Sequence, residues 1–508
     1  MEGEVFSEKA QQAKTLMASM NMRQLNGLGI GRWDEEYYLA GLYHRLRHMK
    51  PTDDDFNPST ALVRESVESA VDVYIHVPFC HVSCSFCHFY KEIINRNRPN
   101  ELEASYIDSL LKEVQNYTSL AGSSLAPQSI QFGGGTPSAL SAAGLERLLN
   151  GLHNIFDMRG VQEVKFEFHP DMASNIEDYR LKLQILNGFG LTTAIIDLEA
   201  SSPDVLKSIC RGNTSTDGFR KLTEAAKEEG VASVASAYMT GLPLETLATF
   251  EQTISFLKDQ KSLDAINIYP LMFKPSDAVF QQRRLNPTTF CTPEDKDLMF
   301  LMASSMLESS GFSEGPCHFF RRQKHQVVQQ TNKAKSRTLI GLGPASFGYL
   351  NGRNHGLQYM NFPDLGSYSE AIERGNTGMW RASCLNGSQK ALRALMFAMN
   401  SYENVPIDMF EEAKAAREPG ELEMITALLT SLDLLVREEK TIAFSKKGRL
   451  RNAEITFYLA EPDTTRWNVD DPEYGRLRRY EFFPSISKDN QLLFKSALNK
   501  TKEALCAT

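Results

Sequence analysis

The chain has 508 residues, 42% of them hydrophobic and 23% charged, a globular balance that excludes a disordered protein and leaves room for two or three domains. Its 55 Lys and Arg against 63 Asp and Glu give a net charge of −8, which argues against nucleic acid held by a general positive field. No apolar run approaches the roughly 20 residues that cross a bilayer, and no apolar leader follows Glu2, Glu4, Lys9 and Lys14, so a cytoplasmic protein without membrane contact is expected.

In chain order, residues 1–70 read as an N-terminal helical extension, with Asp34–His48 as a helix and Pro51–Pro58 as a connector. From residue 71 the pattern alternates. Candidate strands Val73–Val77, Ser129–Phe132, Val164–Phe168, Thr193–Leu198, Val231–Met239 and Ala265–Tyr269 are separated by helical stretches near 101–118, 141–156, 176–188, 216–229 and 245–260. Successive βα units with right-handed crossovers build a parallel sheet, so the fold class is α/β, an incomplete (β/α)6 barrel with its chemistry at the C-terminal strand ends. We place the barrel and its following loops at 71–385. The remainder, 386–508, reads as an accessory domain: helices Gln389–Asn400, Ile407–Arg417 and Glu421–Val436, then a small hairpin from Thr441–Phe444 and Gly448–Leu450. That order is winged-helix-like, without the basic excess that DNA binding needs. Residues 460–508 carry no interpretable motif.

Five of the eight cysteines (Cys210, Cys291, Cys317, Cys384, Cys506) are scattered, whereas Cys80, Cys84 and Cys87 fall directly after the first candidate strand. A C-x3-C-x2-C loop is too compact for a four-cysteine zinc ribbon. Three thiolates suit a 4Fe–4S cluster with one iron left open to a ligand. A zinc ion completed by His81 or His88 is the alternative.

With its flanks, Tyr74-x-His76-x-Pro78-Phe79-Cys80 and Phe86 before the third cysteine, this loop resembles that of the radical SAM superfamily, in which the open iron binds S-adenosylmethionine (SAM). Further segments follow in the family's order. The resemblance implies SAM contacts from Tyr74, Phe86, the Gly133-Gly134-Gly135-Thr136 loop, Glu167, Glu199, Arg211 (on the SAM carboxylate) and the Gly241-Leu242-Pro243 segment, with Gly341–Ala345 as a later loop. Residues of about 72–350 look like the catalytic part of the oxygen-independent coproporphyrinogen III oxidase-like branch.

Departures from the oxidase are Phe89, where the oxidase has a further cysteine, Glu199 where Gln is usual, Ala237 where Asp is usual, and His169 in a Glu-x-Asn/Asp-Pro pattern. They suggest a branch member that uses two SAM molecules for C-methylation or cyclopropanation at an sp2 carbon of a small molecule, with flavodoxin or ferredoxin as reductant. His169, Glu199 and Cys317 are the candidate catalytic groups, beside His318. The alternatives are porphyrin chemistry, either coproporphyrinogen III decarboxylation or haem ring opening, and a non-catalytic haem carrier. Arg321, Arg322, Lys324, Lys333, Lys335 and Arg337 lie in a polar stretch without periodicity, expected as a solvated loop or lid.

Overall fold

The computed structural model describes residues 7–31, 49–53, 56–68, 71–96, 98, 101–271, 273, 277–315, 318–323, 325, 327–401, 404–460 and 488–506. Six parallel strands form the heart of the fold: β1 (Val71–Val77), β2 (Pro127–Gly134), β3 (Glu163–Phe168), β4 (Thr193–Ile196), β5 (Ser233–Thr240) and β6 (Ala265–Pro270). Each pairs with the next, so the chain is an α/β barrel of six βα units left open. Helices α1 (Glu103–Ala121), α2 (Ala142–Ile155), α3 (Ile176–Phe189), α4 (Thr216–Glu228) and α5 (Leu247–Lys258) lie between them.

Strand alternation decides which residues meet the helices. Ile75, Phe132, Phe166 and Ala194 stand in one register row and are fully buried in the main apolar core, the largest favourable term in such a fold. The other parity carries Tyr74, Gln131, Glu167 and Asp197, a polar set turned to the inside of the barrel. Helix starts are set by local polar groups. Ser141 caps α2 at Gly144 N–H, and Thr246 with Thr249 makes a reciprocal cap on α5, features worth about 1 kcal/mol each.

Several expectations need correction. Among the described residues the sheet runs to 13 strands, because β7 (Thr338–Leu342) adds parallel to β1, and β8 (Phe347–Asn351), β9 (Gly356–Asn361) and β10 (Met379–Leu385) follow antiparallel. Gly341 and Gly343 suggested a loop. In fact a Cβ at Gly341 would meet the Phe347 carbonyl oxygen at 2.1 Å, so glycine here permits close strand contact. Pro51, read as the start of a connector, pairs together with Lys50 against β10 at one sheet edge, and Ser313–Glu314 with Phe319–Arg321 closes the other. The polar stretch after 320 is not a loop throughout: it contains the helix Val328–Ala334, whose Asn332 donates to Asp72 and Gln128 under the barrel.

In the C-terminal region, helices Gly387–Met399, Ile407–Ala413 and Glu421–Ser431 pack beside a three-stranded sheet of Asn404–Pro406, Thr441–Phe444 and Leu435–Arg437. Gly448 belongs to the short helix Lys446–Arg449 rather than to a hairpin, and Lys488–Cys506 is a helix where no motif was legible. Asp34–His48 lies outside the described residues. Among the described residues no helix is long and apolar enough to cross a membrane.

Candidate active site at the barrel mouth

The cysteine loop leaves β1 at Pro78 and is clamped from three sides. Phe79–Cys80 pairs with Glu92–Ile93, Ser85 N–H donates to Ile209 O at 3.4 Å, and Val279 N–H donates to Ser85 O at 3.1 Å. The glycine loop after β2 docks on the same segment: Gly135 N–H reaches Val77 O at 2.8 Å and Thr136 N–H reaches Phe79 O at 2.7 Å. A Cβ at Gly135 would lie 2.8 Å from both Val77 O and Phe79 O, so the two loops meet backbone to backbone.

The three thiols sit in different fields. Cys80, 6% exposed, shares a 3.1 Å contact with Thr136 Oγ1, and burial pushes its thiol up to about 11. Burial acts on Cys84 the same way. There, however, the Arg211 charge, hydrogen bonds from His169 and Arg211, and the His169 charge outweigh it and bring the thiol down to about 6. Cys87 closes the turn, its N–H on Cys84 O at 3.2 Å. Beside them Phe86, Ile209, Met239, Leu242, Leu271 and Phe273 form an apolar cluster that lowers local water access.

A polar ring faces this loop from the strand ends. Glu167 accepts from Gln131 Nε2 at 3.2 Å, and a Cβ at Gly133 would come within 2.6 Å of its Oε1. Burial, then the Asp197 charge, lifts Glu167 to about 8. Tyr74 stands beside it, its phenol raised by burial and by Glu167. Glu199 is 2% exposed, has φ +67°, and its Oε2 has no hydrogen-bond partner; burial raises this carboxyl, with Arg211 opposing. His169 Nδ1 accepts from Asp171 N–H at 3.2 Å and lies 2.9 Å from Asp171 Oδ1, so the ring stands between Asp171 and Cys84.

Arg211 reaches the loop by a backbone device. After the helix Pro203–Ser208, Cys210 adopts φ +64°, a conformation costing a residue with a Cβ about 1–2 kcal/mol, and Arg211 N–H returns to Leu206 O at 2.8 Å. The side chain then donates Nε–H to Cys84 Sγ at 3.3 Å and Nη1–H to Asp197 O at 2.7 Å, with Phe86 5.7 Å below the guanidinium. Gly241 has φ +83°; its N–H donates to Glu245 at 2.6 Å, and a Cβ there would meet Lys296 Cε at 2.5 Å.

Cys80, Cys84, Cys87, Phe86, Gly134, Gly135, Thr136, Glu167, Glu199, Arg211 and His169 are thus gathered at one end of the strands. Leu242 is buried in the apolar cluster beside them, and Gly134, at φ +104°, lies against the His76 ring. Cys317 lies outside the described residues. Its neighbour His318 pairs with Glu314 at 3.0 Å and stacks on Phe300 at 4.0 Å, engaged away from the cysteines. Asp197 and Gln131 were missed, although a polar residue at every second position of an apolar strand was the available signal.

These residues fit a 4Fe–4S cluster with SAM. Three thiols converge on one loop, one is biased toward thiolate, a glycine cradle adjoins them, and a buried polar atom, Glu199 Oε2, has no hydrogen-bond partner. The zinc alternative is not favoured: His81 Nδ1 contacts Ile94 O at 3.4 Å and His88 lies 3.6 Å from Asp277, so both histidines are turned to other partners. Among the described residues no three His, Cys, Asp or Glu close on a single-ion site.

The arrangement is that of a protein that holds a metal cluster and a small ligand at the mouth of an open barrel. Residues 74–257 match the radical SAM superfamily, a match that supports a 4Fe–4S cluster and SAM as cofactors. The relatives it resembles are of the oxygen-independent coproporphyrinogen III oxidase-like branch. The chain is 27% identical over 286 residues to the haem chaperone HemW of Bacillus subtilis, covering 55% of this chain and 71% of the relative. It is 22% identical over 416 residues to the oxygen-independent coproporphyrinogen III oxidase of Escherichia coli K12, covering 78% and 87%. Similarity to the anaerobilin synthase of Escherichia coli O157:H7 is 23% over 310 residues, covering 60% and 65%. The solved Escherichia coli coproporphyrinogen III oxidase shares the fold at a TM-score of 0.69, with 21% identity over 84% of this chain and 99% of that one.

These relatives overturn the expected C-methylation or cyclopropanation. The motifs behind that expectation resemble segments common to the superfamily, and Phe89 tells which group is missing, not which substrate replaces it.

Proposed function

We propose that the chain is a radical SAM enzyme acting on a tetrapyrrole, either a porphyrinogen or haem. The similarity to a haem chaperone, a coproporphyrinogen III oxidase and an anaerobilin synthase carries this reading. When bound, the cluster and SAM supply one-electron chemistry that begins with reductive cleavage of a carbon–sulfur bond, with an external reductant such as a flavodoxin or ferredoxin. The chain's own residues bind, orient and shield. Cys80, Cys84 and Cys87 would hold the cluster. Gly134, Gly135 and Thr136 present backbone at the cysteine loop, where a ligand can approach closely. Glu167, Glu199 and Tyr74 offer polar groups to the cationic SAM, and the Phe86, Leu242 and Phe273 cluster keeps water from the reacting atoms. Gly241, through its N–H on Glu245, fixes the turn after β5.

The test uses anaerobically reconstituted protein with SAM, dithionite and, separately, haem and coproporphyrinogen III. Tetrapyrrole-dependent 5′-deoxyadenosine with a mass change in one of the two is expected. Tight haem binding without turnover converts the reading to haem carriage. No binding of either tetrapyrrole overturns it.

A further inference from the structure

The cysteine loop is walled from solvent on one side by a single helix. Cys80 is buried, whereas Cys84 and Cys87 are half-buried and share an apolar cluster with Phe86 and Val279. Val279 belongs to the helix Ala278–Leu285, whose N-cap Asp277 lies 3.6 Å from His88 and whose Val279 N–H donates to Ser85 O at 3.1 Å. Its inner face carries buried Val279 and half-buried Phe280, its outer face Gln281, Arg284 and Leu285, all exposed, so one helix thickness, about 10–12 Å, separates the loop from water.

That outer surface is basic in an acidic chain. Arg283 stacks over Phe273 at 4.3 Å, Arg284 is exposed, and Lys91 on the cysteine loop donates to Cys87 O at 3.1 Å. Lys207 is exposed on the neighbouring helix Pro203–Ser208, which accepts Gln282 Nε2–H at Ser208 O at 3.5 Å. Among the described residues of these elements Asp204 is the exposed acid; Glu92 accepts from Tyr90 Oη, and Asp277 is buried. Leu285, 79% exposed, and Phe89, 43% exposed, add apolar contact at the two ends of the helix, and arginine with exposed apolar side chains is the composition of a protein-binding surface.

We propose that this surface, the helix Ala278–Leu285 with Lys91 and Lys207, is where a small acidic one-electron carrier protein docks to reduce the cluster. One electron leaves the carrier's reduced centre and enters the cluster; no bond forms or breaks. Electron tunnelling falls steeply with distance, which favours the face where a single helix intervenes. With a net charge of −8 the chain as a whole repels an acidic partner, so the local cations supply both the attraction and the address. Docking here rests on the cluster reading and is independent of the tetrapyrrole.

The experiment uses the whole chain, reconstituted anaerobically, with a purified bacterial flavodoxin in its hydroquinone form as the carrier. Iron is counted first, and cluster reduction is followed by stopped-flow bleaching of the visible absorbance. Lys207→Glu combined with Arg284→Glu is expected to lower the second-order rate constant about tenfold at ~20 mM salt, and raising salt to ~300 mM slows the wild type and narrows that gap. The same charge change placed on and beside the small C-terminal sheet, Arg437→Glu with Lys440→Glu, costs less than about threefold. Photoreduced deazaflavin, small and uncharged, reduces all three proteins at rates within about twofold of one another. Equal flavodoxin rates in the two double variants, no reduction of the wild type by flavodoxin, or an equal slowing with deazaflavin overturns the proposal. Should the first variant lose iron, Lys207→Gln with Arg284→Gln decides by the same criteria, with a fall of about threefold expected against none for the matching glutamine control at Arg437 and Lys440. A wild-type protein lacking a 4Fe–4S spectrum refutes the cluster itself, and docking falls with it.

Discussion

Glu113, on α1 behind the barrel, and Glu199, at its mouth, are both buried carboxyls that burial pushes upward, yet their surroundings differ. Glu113 accepts from Gly343 N–H at 2.8 Å, Asn361 Nδ2 at 2.7 Å and Tyr368 Oη at 2.6 Å, so it ties α1 to β9, to the loop after β7 and to the helix Leu365–Glu373. Glu199 keeps one oxygen without a partner and a backbone in a conformation that suits glycine. Burial and a displaced pKa are common to the two. What separates scaffold from site is the unfilled hydrogen-bonding capacity, which folding leaves for a ligand to complete.

That contrast can be broken experimentally, beginning at the mouth. Cys84→Ala is expected to abolish both the brown cluster absorbance and SAM cleavage while leaving the urea midpoint of the metal-free protein nearly unchanged; full iron and cleavage in the variant refute the ligand set. On the scaffold side, Glu113→Ala takes the carboxylate from Gly343 N–H and Tyr368 Oη and leaves Asn361 Nδ2 only its carbonyl acceptors, and is expected to cost about 3–5 kcal/mol of stability, read from urea unfolding. A loss under 1 kcal/mol would remove Glu113 from the scaffold.

Gly133→Ala places a Cβ within 2.6 Å of Glu167 Oε1 and should weaken SAM binding about tenfold without removing iron. Equal affinity in the variant would separate Glu167 from the ligand. Glu199→Gln keeps shape and relieves the burial of a charge, so stability should hold or rise by up to about 1 kcal/mol while SAM affinity changes several-fold. Stability lost without any change in affinity would make Glu199 a second Glu113.

The pH dependence has a defined sign. Glu113 is raised from 4.5 to about 8, so its contribution is complete below the unfolded value and is lost as pH rises through about 8. Glu113→Gln should flatten that part of the stability decline between pH 5 and 8, measured by unfolding at each end; an unaltered slope contradicts the assignment.

The barrel was legible because its strands are written in one alphabet: Val73, Ile75, Phe132 and Phe166 are apolar on the helix side at every second position. Cys80, Cys84 and Cys87 were legible because cluster chemistry demands thiols at short spacing. β7 to β10 were not, since Gly341 and Gly343 read as turn residues until the neighbouring strand is seen to need the space. Arg211 could be named but not aimed. Its direction depends on the positive φ of Cys210 and on a carbonyl of Asp197 two strands' worth of chain away, neither of which a local pattern encodes. The substrate was misread for a related reason. The motifs read from the sequence resemble those of relatives with different functions, so they do not single out a substrate.

Among the described residues the thirteen-stranded sheet ends on one side at Lys50–Pro51, two residues paired to Ala382 and Arg381, and a proline ring has no amide hydrogen to offer. A long open sheet is otherwise a template on which another copy could add itself strand by strand. This stub, with Ser313–Glu314 at the far end, leaves little backbone for such growth, so the residues that close the sheet also guard the protein against fibrous self-association.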